Sequence, residues 1–163
     1  MAIETKKGPI GFPTWIACGF GLGFAPLAPG STSTLFLVIL LGLAGPIEPV
    51  PHAIIIVVMF AVGIPICNTA EAKLGHDAGS IVWDEFVGFA VATWGLLQTY
   101  HDHNAWTIII AAWAAFRFFD VIKLWPVNAA EKLPRGWGII GDDFLAGIYA
   151  NLAVRGAVEW LIR

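Results

Sequence analysis

Acidic side chains in this chain are gathered in short polar segments between apolar stretches, and these segments are where chemistry is expected. The three segments are LGHDAGSIVWDE (residues 74–85), RFFDVIK (117–123) and GWGIIGDD (136–143). A carboxylate at the edge of an apolar environment is costly unless it is paired, hydrated or bound to a cation. We therefore treat the three segments as candidate parts of a functional site.

Asp84 and Glu85 form the first acidic pair. At the start of a helix their side chains point about 100 degrees apart, and the positive end of the helix dipole stabilises both carboxylates. Both can then reach one cation. The alternative is that they are ordinary first-turn acidic residues, which are common at helix starts.

Asp142 and Asp143 form a second pair, which follows the glycine-rich run GWGIIG and is expected to open another apolar helix. Together with Asp120, the two pairs supply up to five carboxylates. Hard oxygen ligands without a thiol site suit Mg²⁺, with Mn²⁺ as the second choice, better than Zn²⁺.

Arg117, Asp120 and Lys123 recur every three residues and so lie near one face of a helix. The two basic side chains can grip phosphate oxygens while the aspartate holds a metal or acts as a nucleophile. A stripe of interfacial salt bridges is the alternative. Pro126 is expected to end this helix.

Two loops carry further candidates. His76, Asp77 and Ser80 either hydrogen-bond a phosphate and orient a carboxylate or belong to a solvated loop. In APLAPGS, Gly30 and Ser31 either offer backbone N–H groups to an anion or simply form a turn. This loop lacks the GK[ST] ending of a nucleotide-binding loop, so no nucleotide partner is expected.

Composition places the chain in a membrane. Hydrophobic residues make up 58% of the sequence and charged residues 13%, with a mean hydropathy of +0.76, too little polar surface for a soluble protein of this size. The net charge of -3 gives no reason to expect a nucleic-acid partner. We predict one integral-membrane domain over residues 1–163.

The predicted fold is all-α, a polytopic membrane helical bundle of about four to five spans. A short interfacial or re-entrant helix is expected before the first span, within Pro13–Ser31, where glycines and prolines interrupt the apolar run. The expected span cores are residues 34–44, 53–70, 86–97, 106–119 and 144–154.

The basic residues predict an orientation. If five spans alternate from a cytoplasmic N-terminus, seven basic residues fall on the cytoplasmic side and two on the other, as the positive-inside rule requires. The same alternation puts all three acidic segments on the cytoplasmic side. The cytoplasmic residues are Lys6, Lys7, Lys73, Arg117, Lys123, Lys132 and Arg135, and the opposite pair is Arg155 and Arg163.

The order of four motifs resembles the phosphatidylglycerophosphatase A family of bacterial membrane phosphatases. The motifs are GFGLGFAPLAPGS, GHDAGSIVWDEFVG, FRFFDVIKLWP and GWGIIGDDFLAG, and they cover about Trp15 to Gly147. The resemblance implies a Mg²⁺-dependent enzyme that converts phosphatidylglycerol phosphate, a phospholipid substrate in the bilayer, to phosphatidylglycerol and inorganic phosphate. It also implies a multi-pass protein of the bacterial cytoplasmic (inner) membrane whose active site faces the cytoplasm.

The resemblance assigns roles to residues of this chain. It implies that Arg117 and Lys123 bind the phosphate, together with the loop residues described above. Attack by water and attack by Asp120 through an aspartyl-phosphate both remain open. The implied catalytic carboxylates are Asp84, Glu85, Asp120, Asp142 and Asp143, of which Asp84, Glu85, Asp142 and Asp143 would hold the metal.

The sequence departs from the family pattern at three places. Ser31 and Ser33 stand where the family usually has the threonine of PGT and, two residues later, a glycine; Leu124 replaces a proline after Lys123, and Arg135 replaces the first residue of a Gly-Gly pair. These changes concern loop geometry and headgroup selectivity rather than the carboxylates. Two alternative functions are a related phosphatase of another lipid phosphate and a non-catalytic, cation-binding membrane transporter.

Overall fold

The structure is a computed structural model that describes residues 10–76, 78–101 and 103–161. Within these ranges it is helical and contains no strand, which confirms the predicted all-α class. An irregular 3₁₀ segment, Gly19–Phe24, joins the first two helices. The helices are α1 Phe12–Ala17, α2 Pro29–Ala44, α3 Pro49–Leu74, α4 Trp83–Thr93, α5 Leu96–Thr99, α6 Ala105–Ile122, α7 Val127–Ala130 and α8 Gly136–Leu161.

Local sequence explains where the long helices begin and end. Helices α2 and α3 each have proline in the first turn, where its missing N–H costs nothing. Gly45 and Gly75 follow their last residues with positive φ angles of 82° and 108°, which glycine adopts readily. At the start of α6, the side-chain oxygen of Asn104 accepts hydrogen bonds from the backbone N–H groups of Trp106 and Thr107.

Helix α8 lies at the centre of the bundle. It packs against α3, α4, α6 and α7. One apolar cluster lies between α8, α4 and α6 and includes Phe89, Phe116 and Ala146. A second lies between α8, α1 and α3 and includes Cys67 and Ile140. The carboxylates carried by α8 are therefore surrounded by helices on several sides.

Helices α4 and α8 approach closely because glycines face each other. A Cβ atom added to Gly88 would overlap the Phe116 ring and the backbone oxygen of Asp143, and one added to Gly147 would overlap the backbone oxygen of Gly88. Small residues let helix backbones come together in apolar surroundings. This contact fixes the distance between the two helices that carry the acidic pairs.

The predicted third span, residues 86–97, is broken. Helix α4 ends at Thr93, and Gly95 has a φ angle of 68° before the short helix α5. The side-chain nitrogen of Asn151 donates to the backbone oxygens of Val91, Ala92 and Trp94, and Arg155 also donates to Trp94. These bonds satisfy the carbonyl groups that the helix end leaves without partners.

Two local predictions were wrong. The run GWGIIG is the beginning of α8 rather than a flexible stretch, so Asp142 and Asp143 lie in its second turn and do not open it. Gly136 is tolerated in the helix because it packs tightly on the backbone of Ile64. Helix α6 ends at Ile122, before Pro126, since Lys123 adopts the left-handed conformation with φ of 48°.

Two helices, α3 and α6, are long and apolar enough to cross a membrane, and α2 is a shorter apolar helix. Helix α4, with 11 residues, is shorter than the roughly 20 residues that a perpendicular span requires. The expected count of four to five spans is therefore not confirmed.

We expect Gly147→Ala to lower the thermal unfolding temperature in detergent, because the added methyl group forces α8 away from Gly88 at a cost of about 1–3 kcal/mol. Gly156→Ala is the matched control, since it lies in the same helix with nothing within 4 Å of an added Cβ. That variant should be neutral or slightly stabilised. Equal unfolding temperatures for the two variants would contradict the close α4–α8 contact.

Candidate active site

A cavity of about 320 Å³ opens where the start of α2 meets the start of α4. A water molecule takes up about 30 Å³ of liquid volume, so a phosphate group fits here together with several waters. The charged side chains in the wall are Asp84, Glu85 and Arg117. The full lining is Ala28, Pro29, Gly30, Ser31, Ala78, Gly79, Ile81, Asp84, Glu85, Arg117 and Ile139.

The N-terminus of α2 forms one wall of this cavity. Pro29 occupies the first turn, no side chain caps the helix, and Gly30 and Ser31 line the cavity. The first N–H groups of a helix have no partner within it and carry its positive partial charge. The structure thus places Gly30 and Ser31 where the sequence predicted an anion-binding turn.

Glu85 faces this helix end at very close range. A Cβ atom added to Gly30 would overlap the Glu85 carboxylate, so only glycine permits this approach. Ser33 holds this turn, because its fully buried hydroxyl donates to the Gly30 backbone oxygen at 2.7 Å. Ser33, one of the three departures from the family pattern, is therefore a structural part of the turn.

Asp84 and Glu85 lie in the first turn of α4, as predicted. Glu85 accepts a 2.5 Å hydrogen bond from Nη1 of Arg117. Asp84 is different, since its buried Oδ1 atom has no hydrogen-bond partner among the described residues. A buried carboxylate oxygen without a partner is costly, which makes Asp84 a candidate ligand for a cation.

Arg117 links α4 to α6. The same Nη1 atom that binds Glu85 lies 3.1 Å from Oδ2 of Asp120, so one guanidinium contacts two carboxylates. Asp120 does not line the cavity and reaches it through Arg117. The predicted helical stripe of Arg117, Asp120 and Lys123 is therefore in part an ion-pair network.

Lys123 belongs to a second ion-pair network. Its Nζ atom lies 3.0 Å from Asp142 and 2.8 Å from Glu131. Burial lowers the pKa of Lys123, but these two carboxylates outweigh burial, and the net pKa is raised above its usual range. The lysine stays charged, and we find it neutralising Asp142 rather than lining the cavity.

Asp143 is 4% exposed and lies behind the cavity wall, within electrostatic range of the other four predicted carboxylates, Glu85, Asp84, Asp120 and Asp142. Its backbone N–H donates to the side chain of Asp142 at 3.0 Å. The five acidic residues predicted from sequence are therefore gathered in one region, where α4, α6 and α8 meet.

The remaining candidates lie elsewhere. His76 is exposed and its ring nitrogen lies 2.5 Å from Glu71, so the structure pairs it with α3 rather than with the acidic cluster. Ser80 does not line the cavity, although Gly79 and Ile81 on either side do. Asp77 lies outside the described residues.

Sequence reasoning missed Glu131, which contacts Lys123 from the loop after α7. No periodicity could have found it, because the chain leaves the helix at Lys123 before it reaches Glu131. It also missed Ile81 and Ile139, the apolar part of the cavity wall. Arg135 is exposed and has a φ angle of 55°, the left-handed conformation that favours the glycine usual at this position.

The carboxylates fit a Mg²⁺ ion by their chemistry. Mg²⁺ is commonly held by one or two carboxylates, with waters and substrate phosphate oxygens completing its shell. Asp84 and Glu85 provide such a pair beside the cavity, and Asp84 has an unpartnered oxygen. Within the described ranges, no three His, Cys, Asp or Glu side chains converge as a ready-made metal cage.

Comparison with known proteins identifies the family. The sequence profile described as phosphatidylglycerophosphatase A matches residues 15–158. A Haemophilus influenzae protein named phosphatidylglycerophosphatase A is 39% identical over 153 residues, which cover 90% of this chain and 89% of the relative. An Escherichia coli protein of the same name is 30% identical over 135 residues, covering 82% of this chain and 76% of the relative.

A third relative carries another name. A Bacteroides thetaiotaomicron protein called "Putative phosphatidylinositol-3-phosphatase" is 35% identical over 163 residues, covering 96% of this chain and 99% of the relative. No solved structure matches the chain. The family matches confirm the resemblance that the motif order indicated: the chain belongs to the phosphatidylglycerophosphatase A family and is a phosphatase that acts on a phosphate monoester.

Proposed function

We propose that this protein hydrolyses the terminal phosphate of phosphatidylglycerol phosphate in a Mg²⁺-dependent reaction that yields phosphatidylglycerol and inorganic phosphate. One observation carries the proposal: the N-terminus of α2, Arg117, Asp84 and Glu85 all line the same cavity. Anion-binding and cation-binding groups thus face the same space. Family membership supports the lipid substrate.

The phosphate would be bound by backbone and side-chain donors together. Backbone N–H groups at Gly30 and Ser31 point along the axis of α2 toward its N-terminal end, where anions are stabilised. Arg117 offers guanidinium N–H groups beyond the one that contacts Glu85 and Asp120. Lys123 is removed from the cavity and contributes by neutralising Asp142.

Mg²⁺ would be held by Asp84 and Glu85, with Asp142 and Asp143 behind them adding negative charge, and Mn²⁺ is the second choice. When bound, the ion would neutralise the phosphomonoester and stabilise charge that develops during its hydrolysis. Glu85 would turn part of its carboxylate from Arg117 toward the cavity. Asp84 would gain a partner for its buried oxygen.

Attack by water fits the cavity better than attack by Asp120, because Asp120 does not line it. A water oxygen would form a bond to phosphorus while the bond from phosphorus to the lipid oxygen breaks. A carboxylate in the wall, Asp84 or Glu85, would accept the proton of the water. The lipid alkoxide would take a proton and leave as phosphatidylglycerol.

We propose a multi-pass arrangement in the bacterial inner membrane, with four to five spans and the cavity on the cytoplasmic side. Helices α3 and α6 support membrane crossing by length and composition. The distribution of lysine and arginine, seven against two, supports the orientation.

A related lipid phosphate is the second candidate substrate. The Bacteroides relative, which is named a phosphatidylinositol-3-phosphatase, supports this alternative. Purified protein should be assayed for phosphate release, with and without Mg²⁺, on phosphatidylglycerol phosphate, phosphatidylinositol 3-phosphate, phosphatidic acid and a polyprenyl phosphate. We expect the first to be preferred. If another lipid phosphate were preferred, the proposed substrate would be wrong. If a chelator left the activity unchanged, the proposed Mg²⁺ dependence would be wrong.

We expect Asp84→Asn and Asp143→Asn to reduce Mg²⁺-dependent phosphate release by about 10²–10³-fold, the loss typical when a preorganised electrostatic contact to the reacting group is removed. Glu48→Gln is the control, because Glu48 is exposed at the start of α3, away from the cavity. Folding is checked by the thermal unfolding temperature. Near-full activity in both aspartate variants would exclude the proposed metal-binding region.

Arg117→Lys should lower activity although it keeps the positive charge. One guanidinium nitrogen contacts Glu85 and Asp120, and a lysine ammonium lacks the further N–H groups that would bind the phosphate at the same time. Arg117→Ala should be less active still, since it leaves both carboxylates without their cation. Steady-state phosphate release measures both variants. If Arg117→Lys matched the unaltered protein, phosphate binding by the other guanidinium N–H groups of Arg117 would be excluded.

A further inference from the structure

Large apolar side chains project from the segment just before the cavity, residues 19–27, which we call the entry segment. Phe20 is 55% exposed, Phe24 48% and Leu27 81%. The next residue, Ala28, is the first in the cavity wall. The entry segment therefore lies at the mouth of the candidate active site.

The exposure of these side chains follows from how the backbone is docked. In GFGLGF, Gly19 and Gly23 face inward: a Cβ atom on Gly19 would overlap Val82 and Phe86, and one on Gly23 would overlap the Ser80 backbone oxygen. The backbone N–H groups of Gly21 and Gly23 donate to the oxygen of Cys18 at 3.1 and 2.9 Å. Glycine thus allows close contact with the cavity loop while the alternate apolar residues point away from it.

Phe20 is held outward despite an unfavourable backbone conformation. Its φ angle is 57°, in the left-handed region that aromatic residues seldom adopt. Its ring packs edge-on against Trp15 at 5.1 Å between centroids, and Trp15 is itself 42% exposed. The aromatic side chains therefore form a continuous apolar surface rather than an isolated contact.

The chemistry of the surroundings identifies what covers this surface. Residues 8–47 contain no Asp, Glu, Lys, Arg or His. Protein interfaces have a polar rim, whereas acyl chains are apolar and uncharged throughout. The surface continues along α2, where Leu35, Ile39 and Leu43 are also exposed. An uncharged apolar track that starts at the phosphate cavity matches a lipid in shape and polarity.

We propose that the entry segment and the exposed face of α2 bind the diacylglycerol part of the substrate from the bilayer while its phosphate occupies the cavity. The inference rests on the proposed function. Phe20, Phe24 and Leu27 would contact the acyl chains beyond the length of a short-chain analogue, and α2 would contact the parts of the chains farthest from the headgroup. The protein would thus select substrates that carry long acyl chains.

The test compares two substrates of the same headgroup, a long-chain phosphatidylglycerol phosphate in phosphatidylcholine vesicles and a short-chain analogue dissolved as monomers. The variant is Phe20→Asn combined with Phe24→Ser. Asparagine tolerates the left-handed conformation, so the first change does not strain the backbone. We expect kcat/KM on the long-chain lipid to fall about tenfold or more, because apolar contacts are removed, with less than about a twofold change on the short-chain analogue.

Leu152→Ser is the matched control. Leu152 is 59% exposed, much like Phe20, but lies in the half of α8 remote from the acidic pair, so both activities should persist. Equal loss on both substrates in the Phe20→Asn/Phe24→Ser variant, or no loss on either, would overturn the proposal. A variant that converts a dimer to monomers would also overturn it, since the surface would then join two copies. If the unaltered protein cleaved neither substrate, the proposed function itself would fail.

A second measurement does not depend on activity. Leu27→Cys carries a thiol at a highly exposed position, whereas Cys18 and Cys67 are buried. A fluorophore attached at position 27 should be quenched by lipids brominated on the upper acyl chain when the protein is in vesicles. Quenching by a water-soluble agent alone would place the segment in water and overturn the proposal.

Discussion

Uncompensated negative charge is the constraint on which the rest of this structure depends. Five carboxylates, Asp84, Glu85, Asp120, Asp142 and Asp143, meet in an apolar bundle, where two basic side chains of the described part of the chain contact them. Arg117 and Lys123 neutralise part of the charge. Charges of one sign in a medium of low polarity repel strongly. The excess negative charge of the cluster therefore supports the proposal that a metal ion binds at this site.

Holding such a cluster together requires helices that cannot slide apart. Glycines hold the helices in place at two contacts. Gly88 and Gly147 fix the spacing of α4 and α8, and Gly30 brings the positive end of α2 against Glu85. Each contact lets a backbone dipole or a carboxylate act at short range, where electrostatic interactions are strongest. The small residues therefore determine the charge geometry as much as the acidic residues do.

The chemistry of the site could be predicted further than its geometry. Acidic residues between apolar runs are visible in the sequence, and so Asp84, Glu85 and Asp143 were correctly assigned to one region. The first turn of α4 was correctly predicted because its acidic residues suit a helix start. The start of α8 was not correctly predicted, because several glycines close together in a sequence usually indicate a loop. In the structure, tight packing of Gly136 against Ile64 stabilises this stretch within a helix.

Contacts between residues that are distant in the sequence could not be predicted either. Nothing in the local pattern joins Lys123 to Glu131, or shows that His76 turns toward Glu71, because such contacts depend on how the chain folds back. The metal, the membrane orientation and the substrate involve molecules outside the chain, so no contact within the chain specifies them.

The carbonyl cap that Asn151 and Arg155 provide for the broken end of α4 has a further consequence. It lies at the end of the helix opposite to Asp84, so one end of α4 stabilises the fold and the other carries a candidate site residue. Substitutions near Asn151 would change the stability of the fold, whereas substitutions near Asp84 would change the rate of phosphate release. The stability of the protein can therefore be raised by substitutions at the C-terminal end of α4, while the candidate active site at its N-terminal end is left unchanged.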